Sequence, residues 1–144
     1  MSEDWERQFV VARSGLAPAL VLVGGWSGEG IAHGEPVTAA LDVRAVLQGT
    51  SIEVQERVGD HEDVCYYRFD ASTGQLRVLH LMAPAIVNEY AVEPSLDGLV
   101  WVTPPSAPAV VWSYDPLGDV LTSEVYWPDQ RIPEVRIRYR RRPG

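Results

Sequence analysis

The residues of this 144-residue chain that could move a proton or hold a polar ligand are few, and His80 and Glu56 lead them. In Gln75–Met82 an outward Arg77 puts Leu76, Val78, His80 and Met82 on the inward face, because side chains alternate along a strand. In Ser51–Val58 the outward set Glu53, Gln55 and Arg57 leaves Ile52, Val54, Glu56 and Val58 inside. An imidazole and a carboxyl in one apolar interior can act as an acid/base pair, since burial and a neighbouring carboxylate move histidine across neutral pH. The competing reading makes His80 a core histidine satisfied by ordinary hydrogen bonds and lets Glu56 reach solvent at a rim. Both stand as catalytic candidates, with their proximity left open.

Around them the same alternation gathers groups suited to a ligand. An outward Arg68 sends Cys65, Tyr67 and Phe69 inward, and the later segments contribute Trp101, Trp112, Tyr114, Leu121, Ser123, Val125 and Trp127. In the last segment, outward Arg136, Arg138 and Arg140 leave Val135, Ile137 and Tyr139 inside. In Ala85–Val92 either Asn88 or Glu89 faces in, and either would be a polar handle. The expected ligand contacts are Tyr67, His80, Asn88, Glu89, Trp101, Trp112, Ser123 and Tyr139: flat apolar walls with a few hydroxyl or indole donors, as small-molecule pockets have.

Other chemistries lack their signatures. The glycine-rich Gly24–Gly30 has neither the Lys-Ser/Thr of a phosphate loop nor a βαβ context, and no GxSxG elbow, HExxH, calcium loop or CxxC occurs. No metal site is expected. Cys65 is alone and reads as a small buried hydrophobe in a reducing compartment.

The elements that must position these groups are almost all strands. A short amphipathic helix is expected from Ser2 to Arg13, with acids in its first turn and Arg13 near its end. Strands are expected at Gly25–Ala32, Val37–Leu47, Ser51–Val58, Val64–Asp70, Gln75–Met82, Ala85–Val92, Leu99–Thr103, Ala109–Asp115, Val120–Trp127 and Glu134–Arg141, joined by connections such as Gly59-Asp60-His61-Glu62 and Ala83-Pro84. Most connections are of hairpin length, so successive strands should pair antiparallel, and about ten of them close into a single up-and-down barrel that keeps a cavity. A β-sandwich is the rival architecture. The chain divides into a helix and arm over 1–18, a barrel over 19–141 and a tail over 142–144.

Leu22-Val23-Gly24-Gly25-Trp26-Ser27-Gly28-Glu29-Gly30 resembles the GxWxGxG opening of nitrobindins and related fatty-acid-binding-like, calycin-type barrels, with Gly24, Trp26, Gly28 and Gly30 on the pattern. The resemblance implies a calycin β-barrel with Trp26 plugging its base. It also implies haem held by a histidine of the last strand, yet Pro133–Tyr139 contains none. His33 and His61 fall in expected turns, which leaves His80 on a different wall, so no cofactor is expected and haem ranks third.

Composition bounds the partners. Twelve basic residues, all arginine, against twenty acidic ones give a net charge of −8, which disfavours nucleic acid. The Arg136–Arg142 stripe reads as a solvated face pairing with acids such as Glu124. The opening MSEDWERQFV is acidic where a secretory signal would be basic, and no apolar run is long enough to span a bilayer, so a cytoplasmic bacterial protein without membrane contact is expected. Homodimerisation is left open. The expected function is binding of a small, mainly apolar or aromatic molecule in the barrel. The alternative is a barrel enzyme catalysing acid/base-assisted cyclisation or isomerisation of a biosynthetic intermediate.

Overall fold

A computed structural model describes residues 3–143. Ten strands form one closed barrel in which each pairs antiparallel with its sequence neighbours and the first closes on the last. They are β1 (Gly24–Ala32), β2 (Glu35–Val46), β3 (Ser51–Val58), β4 (His61–Asp70), β5 (Gln75–Met82), β6 (Ile86–Pro94), β7 (Gly98–Val102), β8 (Ala109–Asp115), β9 (Val120–Tyr126) and β10 (Val135–Arg141). The expected all-β up-and-down barrel with a short N-terminal helix is therefore correct, and the sandwich is excluded. Closure gives every strand a neighbour on both sides, although β7 pairs only residues 91–94 of β6 and leaves residues 86–90 without a ladder partner on that side.

The helix α1 (Glu3–Gly15) buries none of its residues. It lies over β4, where the ring of Phe69 occupies the space a side chain on Gly15 would need. What seals this end of the barrel is the 3₁₀ segment Ala17–Leu22 that follows. Pro18 sits in its first turn, where a missing N–H costs nothing. Leu16, Ala19 and Leu22 are at most 2% exposed, and Trp26 is fully enclosed, its indole N–H donating to the carbonyl of Leu22 at 2.8 Å. The arginine of position 141 lies over the Trp26 ring, 4.1 Å from its centroid. Trp26 is the base plug that the glycine-tryptophan pattern implied.

Several boundaries differ from expectation, each for a local reason. Strand β2 stops at Val46, because Leu47 and Gln48 take positive φ in a tight turn. Ala45 and Leu47, expected inside, are exposed. Trp127 lies beyond β9, 40% exposed and stacked on His33, so it is not an interior side chain. The β3–β4 connection is only Gly59-Asp60, with Gly59 at φ 58°, so His61, Glu62 and Asp63 belong to β4. Ser2 and Gly144, the ends of the expected helix and tail, lie outside the described residues.

Candidate functional site

Inward side chains divide the barrel along its axis. Toward the sealed end Trp26, Leu41, Ile52, Tyr67, Val78, Leu99 and Leu121 are at most 1% exposed. Toward the opposite end, where the β1–β2, β3–β4 and β5–β6 hairpins turn, the inward Val37, Val58, Asp63, His80 and Met82 all keep part of their surface in solvent. Solvent reaches only this end of the interior, the mouth of the cup. A groove of about 1060 Å³ exists, but it lies on the outer wall of β1, β2 and β10 among Ser27, Glu29, Thr38, Arg138 and Arg140.

The cup carries a continuous polar chain. Antiparallel register sets Glu56 opposite Asp63, Cys65 opposite His80, and His80 opposite Asn88. Cross-strand partners share a face, so all of these line the interior. His80 Nε2 lies 3.0 Å from Asp63 Oδ2, and each side chain is 12% exposed. His61 stands at the rim with Nε2 3.7 Å from the same oxygen. From the far wall Tyr139 reaches across and donates its hydroxyl to Glu56 Oε2 at 2.9 Å. Gly28 permits that reach: a side chain there would fall 2.6 Å from the Tyr139 ring. The glycine pattern thus lets a tyrosine lie flat against β1 and point at the carboxyl.

Aromatic rings flank the chain at both ends. Trp101 packs edge-on against His80 with centroids 5.2 Å apart and donates its indole N–H to the Tyr67 hydroxyl at 2.9 Å. Tyr90 lies 6.0 Å from Trp101. Trp112 stacks on Tyr139 at 6.1 Å, beside the buried Ser123 that pairs with it across β8 and β9. Two polar atoms in this wall have no hydrogen-bond partner among the described residues: Asp63 Oδ1, an acceptor, and Trp112 Nε1, a donor.

Electrostatics separates two acids of β3. Burial, and then the neighbouring Asp63 carboxylate, push Glu56 up to about 8, against the Tyr139 hydrogen bond that pulls it down. Glu53, on the outer face, goes the other way: the Tyr66 hydroxyl at 2.9 Å lowers it most, helped by Arg44 at 3.0 Å. Every arginine of the neighbouring strands faces outward, so no fixed cation stabilises a charged Glu56. Burial also raises the Cys65 thiol, with Asp63 and Glu56 adding to it, so the thiol is no activated nucleophile.

Of the expected ligand contacts, Tyr67, His80, Asn88, Trp101, Trp112, Ser123 and Tyr139 all line the interior, and Glu56 joins His80 through Asp63. Glu89 is corrected: it points outward and pairs with Arg77 at 2.9 Å and Arg68 at 3.0 Å. Asn88 is the inward member of that pair. The residue that links the two catalytic candidates, Asp63, was missed because the turn was drawn three residues too long. Counting alternation back from Cys65 to the two-residue Gly59-Asp60 turn would have found it.

Among the described residues no group of three or more His, Cys, Asp or Glu is arranged to hold a metal. The nitrobindin resemblance implies haem, but its ligand position in β10 has no histidine, and the Nε2 of the one interior histidine is taken by Asp63. The cup as it stands does not fit an axially ligated haem. No helix among the described residues is long and apolar enough to cross a membrane. No protein-family model matches the chain, and no curated protein is significantly similar to it.

Proposed function

We propose that the open half of the barrel binds a small, mainly apolar or aromatic molecule without a haem or metal cofactor. The observation that carries this reading is the contrast within one interior. The sealed half is filled to exclusion by apolar side chains, whereas toward the opposite end the partly exposed Glu56, Asp63, His80 and Asn88 gather beside aromatic rings, with the buried Tyr139 donating its hydroxyl to Glu56. Buried polar groups are costly unless they do something, and a small set of convergent ones in a concave aromatic site is how pockets fix orientation. The net charge of −8 and the single Cys65 suit a cytoplasmic small-molecule protein with no nucleic-acid partner.

The test uses N-phenyl-1-naphthylamine, a neutral fluorophore that brightens in apolar surroundings. Saturable one-to-one binding is expected, weakened at least ~10-fold by Met82→Trp, which fills the cup near its mouth. Binding that Met82→Trp leaves unchanged would place the probe elsewhere and sink this reading.

A second reading, acid/base catalysis, is favoured by one further observation. A histidine braced by a carboxylate stands in one interior with a carboxyl that burial keeps protonated at neutral pH, so a proton acceptor and a proton donor lie in one site. If turnover of a bound compound is found, His80→Ala or Glu56→Gln should lower it by roughly 10²–10⁴-fold with far less effect on binding. Bound compounds recovered unchanged by mass spectrometry favour the binder.

A further inference from the structure

The arginines of β10 do not share one fate. Arg136 stands 3.9 Å from Glu124, and Arg141 holds Asp119 at 3.0 Å. Between them in the chain, the exposed Arg138 and Arg140 make neither an ion pair nor a hydrogen bond among the described residues. Every other strand arginine is engaged: Arg44 with Glu53, Arg57 with Glu62, and Arg68 and Arg77 with Glu89. In a chain of net charge −8, two unneutralised cations side by side are the exception. Both line the groove of about 1060 Å³ on the outer wall of β1, β2 and β10. Short neighbours leave that groove open: Ser27 lies directly across the ladder from Arg140, and Ala40 and Thr38 follow on β2.

We propose that this groove binds a soluble phosphate monoester, with its phosphate on Arg138 and Arg140 and its apolar body along Ile31 and Pro36. Outward residues two apart on a strand have bases about 6.7 Å apart, twice the rise per residue, so two long side chains there can close on one anion. A single arginine fork satisfies a carboxylate, whereas two forks and the free Ser27 hydroxyl match the three oxygens and double charge of a phosphate. Toward the β1–β2 hairpin the same groove turns apolar, where the exposed Ile31 and Pro36 face each other across the ladder. Glu29, opposite Arg138, is the one acid lining the groove among the described residues, and it works against the ligand. Larger polyanions would also meet the negative charge of the surrounding chain, which limits the site to a small molecule. The groove lies outside the barrel, so the inference is independent of ligand binding in the cup.

Phenyl phosphate tests it, since at pH 7 it is mostly a dianion. Titrated at constant ionic strength, it should give saturable shifts in the backbone amide resonances of Ser27, Glu29, Arg138 and Arg140. Benzoate should bind ~5-fold more weakly, and inorganic phosphate more weakly than phenyl phosphate because it leaves Ile31 and Pro36 uncovered. Arg138→Gln and Arg140→Gln should each weaken phenyl phosphate ~5-fold, the scale of one exposed ion pair. Glu29→Gln should tighten it about twofold by removing the opposing charge. Arg136→Gln also removes a positive charge from β10, but from a guanidinium already paired with Glu124, and should matter less than either. All four positions are exposed, so the variants keep the fold. Shifts that never saturate, benzoate binding as tight as phenyl phosphate, or Arg136→Gln as damaging as Arg138→Gln would overturn the proposal and leave only general attraction of anions. A single-stranded oligonucleotide that displaces phenyl phosphate at a lower concentration would also overturn it, by assigning the two arginines to a polyanion.

Discussion

The two ends of this barrel are made from the same ten strands, yet they solve opposite problems. At the sealed end, alternation delivers Leu41, Ile52, Val78 and Leu121, and residues 16–22 close over them with Trp26. At the open end the same alternation delivers Glu56, Asp63, His80 and Asn88. The first set removes apolar area from water and supplies stability; the second retains polar groups that contribute little to folding. The two sets therefore divide the length of the same strands between an apolar core and a polar cluster.

Truncation should expose the asymmetry most strongly. Trp26→Ala is expected to cost about 3–5 kcal/mol in urea unfolding, since an enclosed indole leaves a cavity its neighbours cannot fill. Met82→Ala, at the solvent-reached end, should cost ~1 kcal/mol, because less area is lost from burial. Comparable losses at the two positions would abolish the distinction.

The next effect is one of pH. Folded Glu56 keeps its proton up to about 8, whereas the unfolded chain releases it near the ordinary glutamate value of 4.5. Between those limits the folded state binds more protons, so stability must fall as pH rises through that window. Glu56→Gln should flatten the decline and make the protein relatively more stable at pH 9. Glu53→Gln should leave the decline in place, because Glu53 is shifted downward by Tyr66 and Arg44 and acts only toward acid pH. Thermal melts from pH 5 to 9 read both. A decline that survives Glu56→Gln would assign it to another group.

Tyr139→Phe should cost only ~1 kcal/mol, one hydrogen bond, but it should move the midpoint of the alkaline decline upward, because the hydroxyl is what pulls Glu56 down. A downward move would contradict the hydrogen bond's direction. The smallest expected effect is none: hemin added to the protein should give no tight histidine-ligated Soret band. A stoichiometric band lost in His80→Ala would restore haem binding.

Most of the fold was legible because alternation is written residue by residue. Arg136, Arg138 and Arg140 alone orient β10, and Arg77 alone sends His80 inside. The ends of elements were harder. Leu47 looked like the next inward hydrophobe of β2, but the turn that reverses the chain needed positive φ there, and local geometry overrode the pattern. Trp127 was lost in the same way at the end of β9. The site was legible as a set of residues but not as a connected chain. Its central member, Asp63, sits next to a turn in a run of acids, His61-Glu62-Asp63, that reads as solvated loop until the length of the turn is known. Nor does alternation choose between Asn88 and Glu89; the outward arginines 68 and 77, which claim Glu89, made that choice.

The seam where β1 meets β10 joins Ala32 to Val135 and Trp26 to Arg141, segments separated by about a hundred residues of sequence. At Gly30 the partner strand lies so close that even a methyl group would fall 1.9 Å from the Arg136 carbonyl oxygen. During synthesis, the chain up to β9 has every ladder available to it except the two that β10 makes, with β1 and with β9. Until residues 135–141 leave the ribosome it is a curled sheet with two raw edges, the form in which β proteins are most exposed to mispairing. Loop closure over so long a stretch is also slow compared with forming the hairpins. The vulnerable moment of this protein's life therefore lies before β10 emerges, and a substitution at Gly30 would show itself as lost yield in the cell.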